Sequence, residues 1–317
     1  MHEILTREEC DTNYDYGRTP EKRSVEDLIK YGVINIDKPS GPTSHQVVAW
    51  VREILGLKKV GHAGTLDPMV TGVLLTTLEN SCKAIPLLMH LDKEYVGVMR
   101  VHADISDDKI SEAFEKFTGK IKQLPPVRSA VARRVRERTI ANLEVIEIEG
   151  RDVLFRVECE AGTYVRKLIA DIGKALGVGA HMAELRRVRV GNFLEKHSIT
   201  LQELKDACWY YKNENNEEQI RKIIIPIETA LETAGVKKVF IKDSAINKVC
   251  NGAPLGTGGI CTLDGNIDKG DLIGMFSLKN ELVAIGKALS NSDDMIKSGS
   301  SIVVATDRVV MKLGTYA

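Results

Sequence analysis

The segment 61–72, GHAGTLDPMVTG, sets one carboxylate, Asp67, among glycines and a proline, with His62 just upstream and no second acid nearby. Such a carboxylate can cap a helix, hold a metal or carry out chemistry on its own. Asp before Pro is a common helix opening, with the acid as N-cap and the proline at the first helical position. The next residues, VLLTTL, read as a buried strand, which weakens the capping reading. Pro68 biases Asp67 toward extended backbone and so holds the carboxylate out of the loop. A metal would need further ligands, and neither a second acid nor a ligand-spaced histidine accompanies Asp67.

Arg166 raises a second question. It falls in the first turn of a helix whose cap reads as Thr163, where the dipole disfavours a cation by about 0.3–1 kcal/mol. A cation there implies an anion beside it, a carboxylate or a phosphate; the alternative is an exposed arginine bonded to water. Tyr95 in KEYVGV and Tyr164 in GTYVRKL stand on a strand and at a helix start, ordinarily core or surface positions. Basic residues cluster twice: Lys120, Lys122, Arg128, Arg133, Arg134, Arg136 and Arg138 against Glu137, and then Arg166, Lys167, Lys174, Arg186, Arg187 and Arg189. Either cluster can be a phosphate-binding face or a solvated surface. GAPLGTGGI (252–260) is glycine-rich like a phosphate loop, but no lysine-bearing helix comes after it, so it reads as turns of a small barrel.

The elements that must position these residues emerge from periodicity. SVEDLIKYG is a short helix capped by Ser24, and VINIDKPSGP is a strand entering a Pro/Gly loop. TSHQVVAWVREILG is a helix with a Thr43/Gln46 capping box, an apolar stripe of Val47, Val48, Val51, Ile54 and Leu55, and Gly56 at its end. NSCKAIPLLMHL reads as a helix with Pro86 inside it, and KEYVGVMRVHA as a strand. SDDKISEAFEKFTG reads as a helix capped by Ser106. The basic stretch 120–140 reads as a loop with an arm, LEVIEIEGRDVLFRVECE as a hairpin turning near Gly150, and GTYVRKLIADIGKALG as a helix ended by Gly177. TLQELKDACWYY opens with a Thr200/Glu203 capping box. From Lys237 short β-like runs alternate with glycine turns, the pattern of a small barrel-like domain. That break implies that deletion beyond about Ala234 spares the preceding fold.

The chain has 317 residues, enough for a large domain and a small one, and its 43% hydrophobic and 28% charged residues are those of a globular protein. No apolar run is long enough for a membrane span, and the charged N-terminus is no signal peptide. Net charge is zero, which speaks against a generic nucleic-acid coat and leaves a segregated basic face open. Six cysteines, Cys10, Cys82, Cys159, Cys208, Cys250 and Cys261, lie far apart and read as free thiols in a reducing, cytoplasmic setting.

Seven blocks in order, GVINIDKPSGPTSHQVVAWV, GHAGTLDPMVTGVL, KEYVGVM, PPVRSAVARR, GRDVLFRV, GTYVRKL and GVGAHMAELRR, together resemble the TruB/dyskerin family of RNA pseudouridine synthases. The resemblance is nearest to the archaeal enzyme of H/ACA ribonucleoproteins and runs from about Tyr14 almost to the C-terminus. FIKDSA (240–245) resembles part of a PUA RNA-binding domain. Ala63 and Leu75 stand where relatives often have glycine and proline.

The resemblance implies an α+β fold: a mixed or antiparallel sheet with flanking helices, plus a small C-terminal β-barrel-like PUA domain. The expected parts are an N-terminal extension (1–30), a catalytic domain (31–235) and the PUA domain (236–317). It implies conversion of uridine to pseudouridine in rRNA or tRNA, with neither metal nor organic cofactor. Asp67 is expected either to add to the ribose or to remove a ribose proton, Arg166 to pair with it, and Tyr95 to stack on the base. Tyr164 and Leu185 are expected to wall the pocket, Lys38 to brace the loop, and His62 to lie near the position the flipped uridine leaves. Arg133 and Arg134, with the PUA domain, are expected to grip phosphates. Implied partners are an H/ACA guide RNA, a small zinc-binding protein, a small β-barrel protein and a kink-turn-binding ribosomal-type protein. The rival readings are a stand-alone tRNA pseudouridine synthase of the TΨC loop and a non-catalytic RNA scaffold, whose signature would be loss of Asp67.

Overall fold

The computed structural model describes residues 3–125, 134–297 and 299–316. The first strand, β1 (Ile4–Thr6), precedes helix α1 (Val25–Lys30), whose cap Ser24 accepts from the Asp27 backbone N–H. Strand β2 (Gly32–Lys38) leads into α2 (Ser44–Leu55), which has the full Thr43/Gln46 capping box and ends at Gly56 in the left-handed region (φ 70°). Then come β3 (Val60–His62), β4 (Thr71–Leu78), α3 (Ile85–Met89), β5 (Lys93–Val101), α4 (Asp107–Lys116), β6 (Gly119–Gln123), β7 (Arg136–Glu149) and β8 (Asp152–Cys159). Helix α5 (Val165–Ala175) precedes β9 (Ala180–Val190) and β10 (Phe193–Leu194). Helices α6 (Leu201–Glu214) and α7 (Glu218–Ile223), strand β11 (Ile225–Pro226) and α8 (Ile227–Thr233) complete this part. The C-terminal unit holds β12 (Lys238–Ile241), α9 (Asp243–Cys250), β13 (Leu255–Gly256), β14 (Ile260–Asp264), β15 (Leu272–Ser277), β16 (Leu282–Ala288), α10 (Ser292–Lys297) and β17 (Ile302–Val309).

Two mixed sheets result, giving the α+β architecture expected. The larger runs β11-β2-β4-β9-β5-β8-β7-β6, with β3 on β4 and β10 on β9; the smaller runs β1-β14-β12-β15-β16-β17-β13. The central joint of the large sheet is the parallel pairing of β4 with β9, Gly72 opposite Arg187. Gly72 has φ 98°, and a Cβ there would lie 2.2 Å from the Arg187 carbonyl oxygen. Only glycine lets β4 begin flat against β9. Helix α5 buries Val165, Leu168, Ile169 and Ile172, an i, i+3, i+4, i+7 stripe facing the sheet.

Several sequence expectations need correction. The 119–140 stretch is not all loop: β6 and β7 pair from Gly119↔Ile140 to Gln123↔Arg136, and their charged outward positions masked the alternation. Pro86 does not interrupt a long helix. A 3₁₀ turn, Glu79–Ala84, ends before α3, and Pro86 lies in the first turn of α3, where its missing N–H costs nothing. Thr163 does not cap α5; its hydroxyl donates to the Glu160 carbonyl instead. The polar N-terminus contributes β1 to the C-terminal sheet, and Cys10 and Cys261 form a disulfide with Cα atoms 6.0 Å apart. Their separation of 251 residues left spacing arguments nothing to read.

The structure also speaks against the deletion expectation. Val33, Val73, Phe193, Ile227 and Leu231 of the first part share one buried cluster with Phe276, Leu282, Ile285 and Val310 of the second. Arg23 and Glu228 form a two-pronged buried pair (2.8 and 2.9 Å), and Glu228 also accepts the Leu282 backbone N–H at 2.9 Å. Removing the C-terminal unit strips an apolar face and a partner from a buried charge. Glu228→Ala leaves the Arg23 guanidinium uncompensated and is expected to cost about 3–5 kcal/mol of unfolding free energy. Urea unfolding of the whole chain checks this.

Candidate active site

The loop carrying Asp67 links β3 to β4, so no helix begins at it; Asp67 instead opens a turn whose Val70 N–H donates to the Asp67 carbonyl at 3.0 Å. This removes the capping reading. Three side chains from other elements hold the loop backbone. The fully buried Lys38 Nζ donates to the carbonyls of Pro39 (2.9 Å), Pro68 (2.9 Å) and Val70 (2.8 Å). Ser44, in the first turn of α2, accepts the Leu66 N–H at 2.8 Å and donates to the Leu66 carbonyl at 3.0 Å. Arg187, only 1% exposed, donates to Val73 (2.7 Å) and Gly64 (3.1 Å). With its backbone satisfied from below, the loop leaves the Asp67 carboxylate facing outward.

Arg166 meets it there, its Nη2 donating to Asp67 Oδ2 at 2.5 Å, with the two side chains 62% and 49% exposed. An ion pair this open contributes about 0–1 kcal/mol to folding, and the cation sits at a helix start that disfavours it. The arrangement is therefore not explained by stability.

Tyr95, on β5 opposite Arg187 of β9, is buried in the main core. Burial pushes its phenol above the usual range, and the neighbouring Arg187 guanidinium, which bonds it, acts against that shift. Leu185 is buried on the same face of β9 as Arg187, two residues away. Burial depresses the Lys38 ammonium, opposed by the charge of Asp67. His62 is lowered to about 4, first by burial and then by the charges of His45 and Arg187. Its ring lies 5.2 Å from that of His45, and its Nδ1 has no hydrogen-bond partner among the described residues. Tyr164 precedes α5 and is half-buried. The structure thus draws Asp67, Arg166, Tyr95, Lys38 and His62 around one loop, while Tyr164 lies two residues before Arg166 and Leu185 two residues before Arg187.

The basic arm divides. Arg134 is exposed, and Arg133 lies outside the described residues. Arg138 is engaged with Glu160 at 3.0 Å and Lys120 with Glu137 at 3.2 Å, so neither is simply a free phosphate contact. Arg187 and Ser44 were not singled out from sequence. Arg187 nonetheless carried a signal, since an arginine two residues after Leu185 in a strand must share its inward face.

Known proteins share this organisation. A family model described as "TruB family pseudouridylate synthase (N terminal domain)" matches residues 52–165, and "tRNA pseudouridylate synthase B C-terminal domain" matches 166–232. A DKCLD (NUC011) domain matches 1–48 and a PUA domain 237–310. "Probable tRNA pseudouridine synthase B" of Methanopyrus kandleri is 49% identical over 99% of this chain and 92% of its own length. The chain belongs to the TruB family of pseudouridine synthases. The Pyrococcus furiosus relative of the same name is 50% identical, again over 99% of this chain and 92% of its own length. Among solved structures, that of a Cbf5-Nop10-Gar1 complex matches with TM-score 0.93 and 50% identity, covering 100% of this chain and 96% of that one. An H/ACA RNP bound to a substrate RNA containing 2′-deoxyuridine matches with TM-score 0.91 and 48% identity, covering 100% and 97%. The chain is therefore an RNA-uridine isomerase, and its C-terminal unit is a PUA domain.

Two outcomes are expected of the synthase. Lys38→Met takes the donor from the Pro39 and Val70 carbonyls and leaves Pro68 with the Gly41 N–H alone, and should cost about 2–4 kcal/mol of stability, measured by urea unfolding. His62 stays neutral in the folded protein down to about pH 4, whereas the unfolded chain protonates it near its ordinary pKa of 6.5. Stability should hold above about pH 6.5 and fall as pH drops toward 4. The His62→Gln variant, compared by urea midpoints across that window, should show a shallower decline.

Proposed function

We propose that this synthase isomerises uridines chosen by an H/ACA guide RNA, chiefly in rRNA. The observation that carries this is its likeness, over essentially its whole length, to the structures of a Cbf5-Nop10-Gar1 complex, of an archaeal box H/ACA sRNP Nop10-Cbf5 complex and of an H/ACA RNP bound to a substrate RNA. Nop10 belongs to the first two of these complexes and Gar1 to the first, and the third holds a substrate RNA. We extend this to the present chain as a guide RNA, a small zinc-binding protein, a small β-barrel protein and a kink-turn-binding ribosomal-type protein. No helix among the described residues is long and apolar enough to cross a membrane. Because the proposed substrates are rRNA and tRNA, we assign the enzyme to the cytoplasm. A second reading, uridine modification in the tRNA TΨC loop, is favoured by the relatives named tRNA pseudouridine synthase B.

In the proposed mechanism the uracil leaves C1′ through its nitrogen, turns, and returns through C5. Asp67 acts as an anion in either available step, addition at C1′ or removal of a ribose proton. Arg166 holds the carboxylate in position. Tyr95 stacks on the base and assists the proton leaving C5, while Tyr164 and Leu185 wall the pocket. Lys38 keeps the loop in register, and His62 lies near the space the flipped uridine vacates. Arg133, Arg134 and the PUA domain contact phosphates.

The test is pull-down of the protein and sequencing of the bound small RNAs, with pseudouridine formation measured on guided rRNA fragments and on bare tRNA. Equal rates on bare tRNA would favour the second reading. Asp67→Asn keeps shape and hydrogen-bonding oxygen but not charge. It is expected to yield no product under single-turnover conditions while RNA binding survives; near-normal product would remove Asp67 from the mechanism. Replacing Arg133 and Arg134 by alanine should weaken RNA binding. It should also flatten the dependence on log salt by about one unit for each phosphate no longer neutralised. Unchanged affinity and slope would assign those arginines elsewhere.

A further inference from the structure

Helix α5 lacks an ordinary N-terminal cap. Tyr164 occupies the cap position with no side-chain bond to the helix, and the hydroxyl of Thr163 points back to Glu160. A side chain 41 residues away takes over. Gln123, the last residue of β6 and only 2% exposed, accepts the Tyr164 N–H at its Oε1 (3.0 Å). Its Nε2 donates to the Tyr164 carbonyl at 3.2 Å. That carbonyl also receives the Leu168 N–H at 3.0 Å, the opening bond of α5. One buried amide thus grips both polar groups of the residue from which the helix starts.

The reason to fix that point so firmly lies two residues on. Arg166 is 62% exposed, and its side chain is not packed into a core that could aim it. The direction of its guanidinium is set by where the helix begins and by the Asp67 carboxylate. The carboxylate is anchored separately, through Lys38, Ser44 and Arg187. Two independently held segments must therefore be brought into register, and Gln123 is the tie on the α5 side.

We propose that Gln123 is a positioning residue for the isomerisation, acting through the start of α5 on the placement of Arg166 and Tyr164 against Asp67. The inference rests on the reading of Asp67 and Arg166 as the reacting pair. The amide is the side chain this position needs. Glutamate can accept the Tyr164 N–H but cannot donate to its carbonyl, and its anionic oxygen would face that carbonyl oxygen. Asparagine is one carbon short of reaching both groups. Leucine fills the space and makes neither bond.

The experiment uses the full chain, assembled with whatever guide RNA and proteins support wild-type turnover. Single-turnover pseudouridine formation and RNA affinity are measured for Gln123→Leu, Gln123→Glu, Arg166→Lys and the Gln123→Leu/Arg166→Lys double variant, with Asp67→Asn alongside. Gln123→Leu should slow the chemical step by about 10–100-fold, the cost of a misplacement near 1 Å, while RNA affinity stays within about twofold. In the Arg166→Lys background the same change should cost clearly less, because the two act through one geometry. Should Gln123→Leu not fold, shown by thermal melting, Gln123→Glu carries the same comparison. Wild-type rates for both Gln123 variants would overturn the proposal, as would full multiplicativity with Arg166→Lys. An active Asp67→Asn protein would instead overturn the reading of the reacting pair; an inactive one with an unaffected Gln123→Leu protein would sink this proposal alone.

Discussion

The site depends on one constraint: the chain from Gly64 to Val70 must be held rigid without any of its holders occupying the Asp67 carboxylate. Regular secondary structure cannot do this, because the loop is neither strand nor helix and its carbonyls need donors. Lys38, Ser44 and Arg187 supply them, from β2, α2 and β9. Burying two cations is expensive unless each is well hydrogen-bonded, and here each donates to main-chain oxygens rather than to an acid. A carboxylate partner beneath the loop would stabilise those cations at least as well. It would also set a second anion against Asp67, so carbonyl acceptors satisfy both demands.

The sheet order answers the same need. Lys38 ends β2, Asp67 precedes β4, Arg187 lies on β9 and Tyr95 on β5; these four strands are adjacent, in the order β2-β4-β9-β5. Gly72 removes the one Cβ that would force β4 off β9, and the close approach puts the Arg187 side chain under the loop. The helix that brings Arg166 packs its apolar stripe on the same core. Residues scattered over some 150 positions of sequence therefore meet because strand pairing is parallel at a single joint.

Much of this was legible in the residues. Capping boxes at Thr43 and Thr200, the helix end at Gly56 and the Gly150 hairpin are local chemistry, and local chemistry is what a short window contains. The oddness of Asp67 and Arg166 was visible too, because each breaks a local rule with no local compensation. Residues whose function is fixed by a distant partner were not legible. Ser44 drew no notice beside the Thr43 cap, Arg187 looked like one more basic residue, and Gln123 like a polar residue in a loop. β1 pairs with β14 across more than 250 positions, and the Cys10–Cys261 disulfide depends on that pairing. The apolar cluster joining the catalytic part to the PUA domain was hidden for a related reason. Ile227, Leu231 and Phe276 are each ordinary core residues, and only the fold reveals that they share one core.

The openness of the Asp67–Arg166 pair now has a physical meaning. In water, two half-exposed charges attract weakly, because the solvent screens them and competes for their hydrogen bonds. RNA seated on the pair, as the proposed function has it, would remove that water, and the same contact would then act in a medium of lower effective dielectric, where its energy is several times larger. On the proposed reading of the pair as the reacting groups, it carries little electrostatic strain without RNA and gives an oriented anion once substrate seals it. That division of labour explains why the holders of the loop are buried while the pair is not. Rigidity has to exist before RNA arrives, and it comes from Lys38, Ser44 and Arg187. In the proposed mechanism electrostatic force is needed only afterwards, and an exposed pair supplies it when the base is in place.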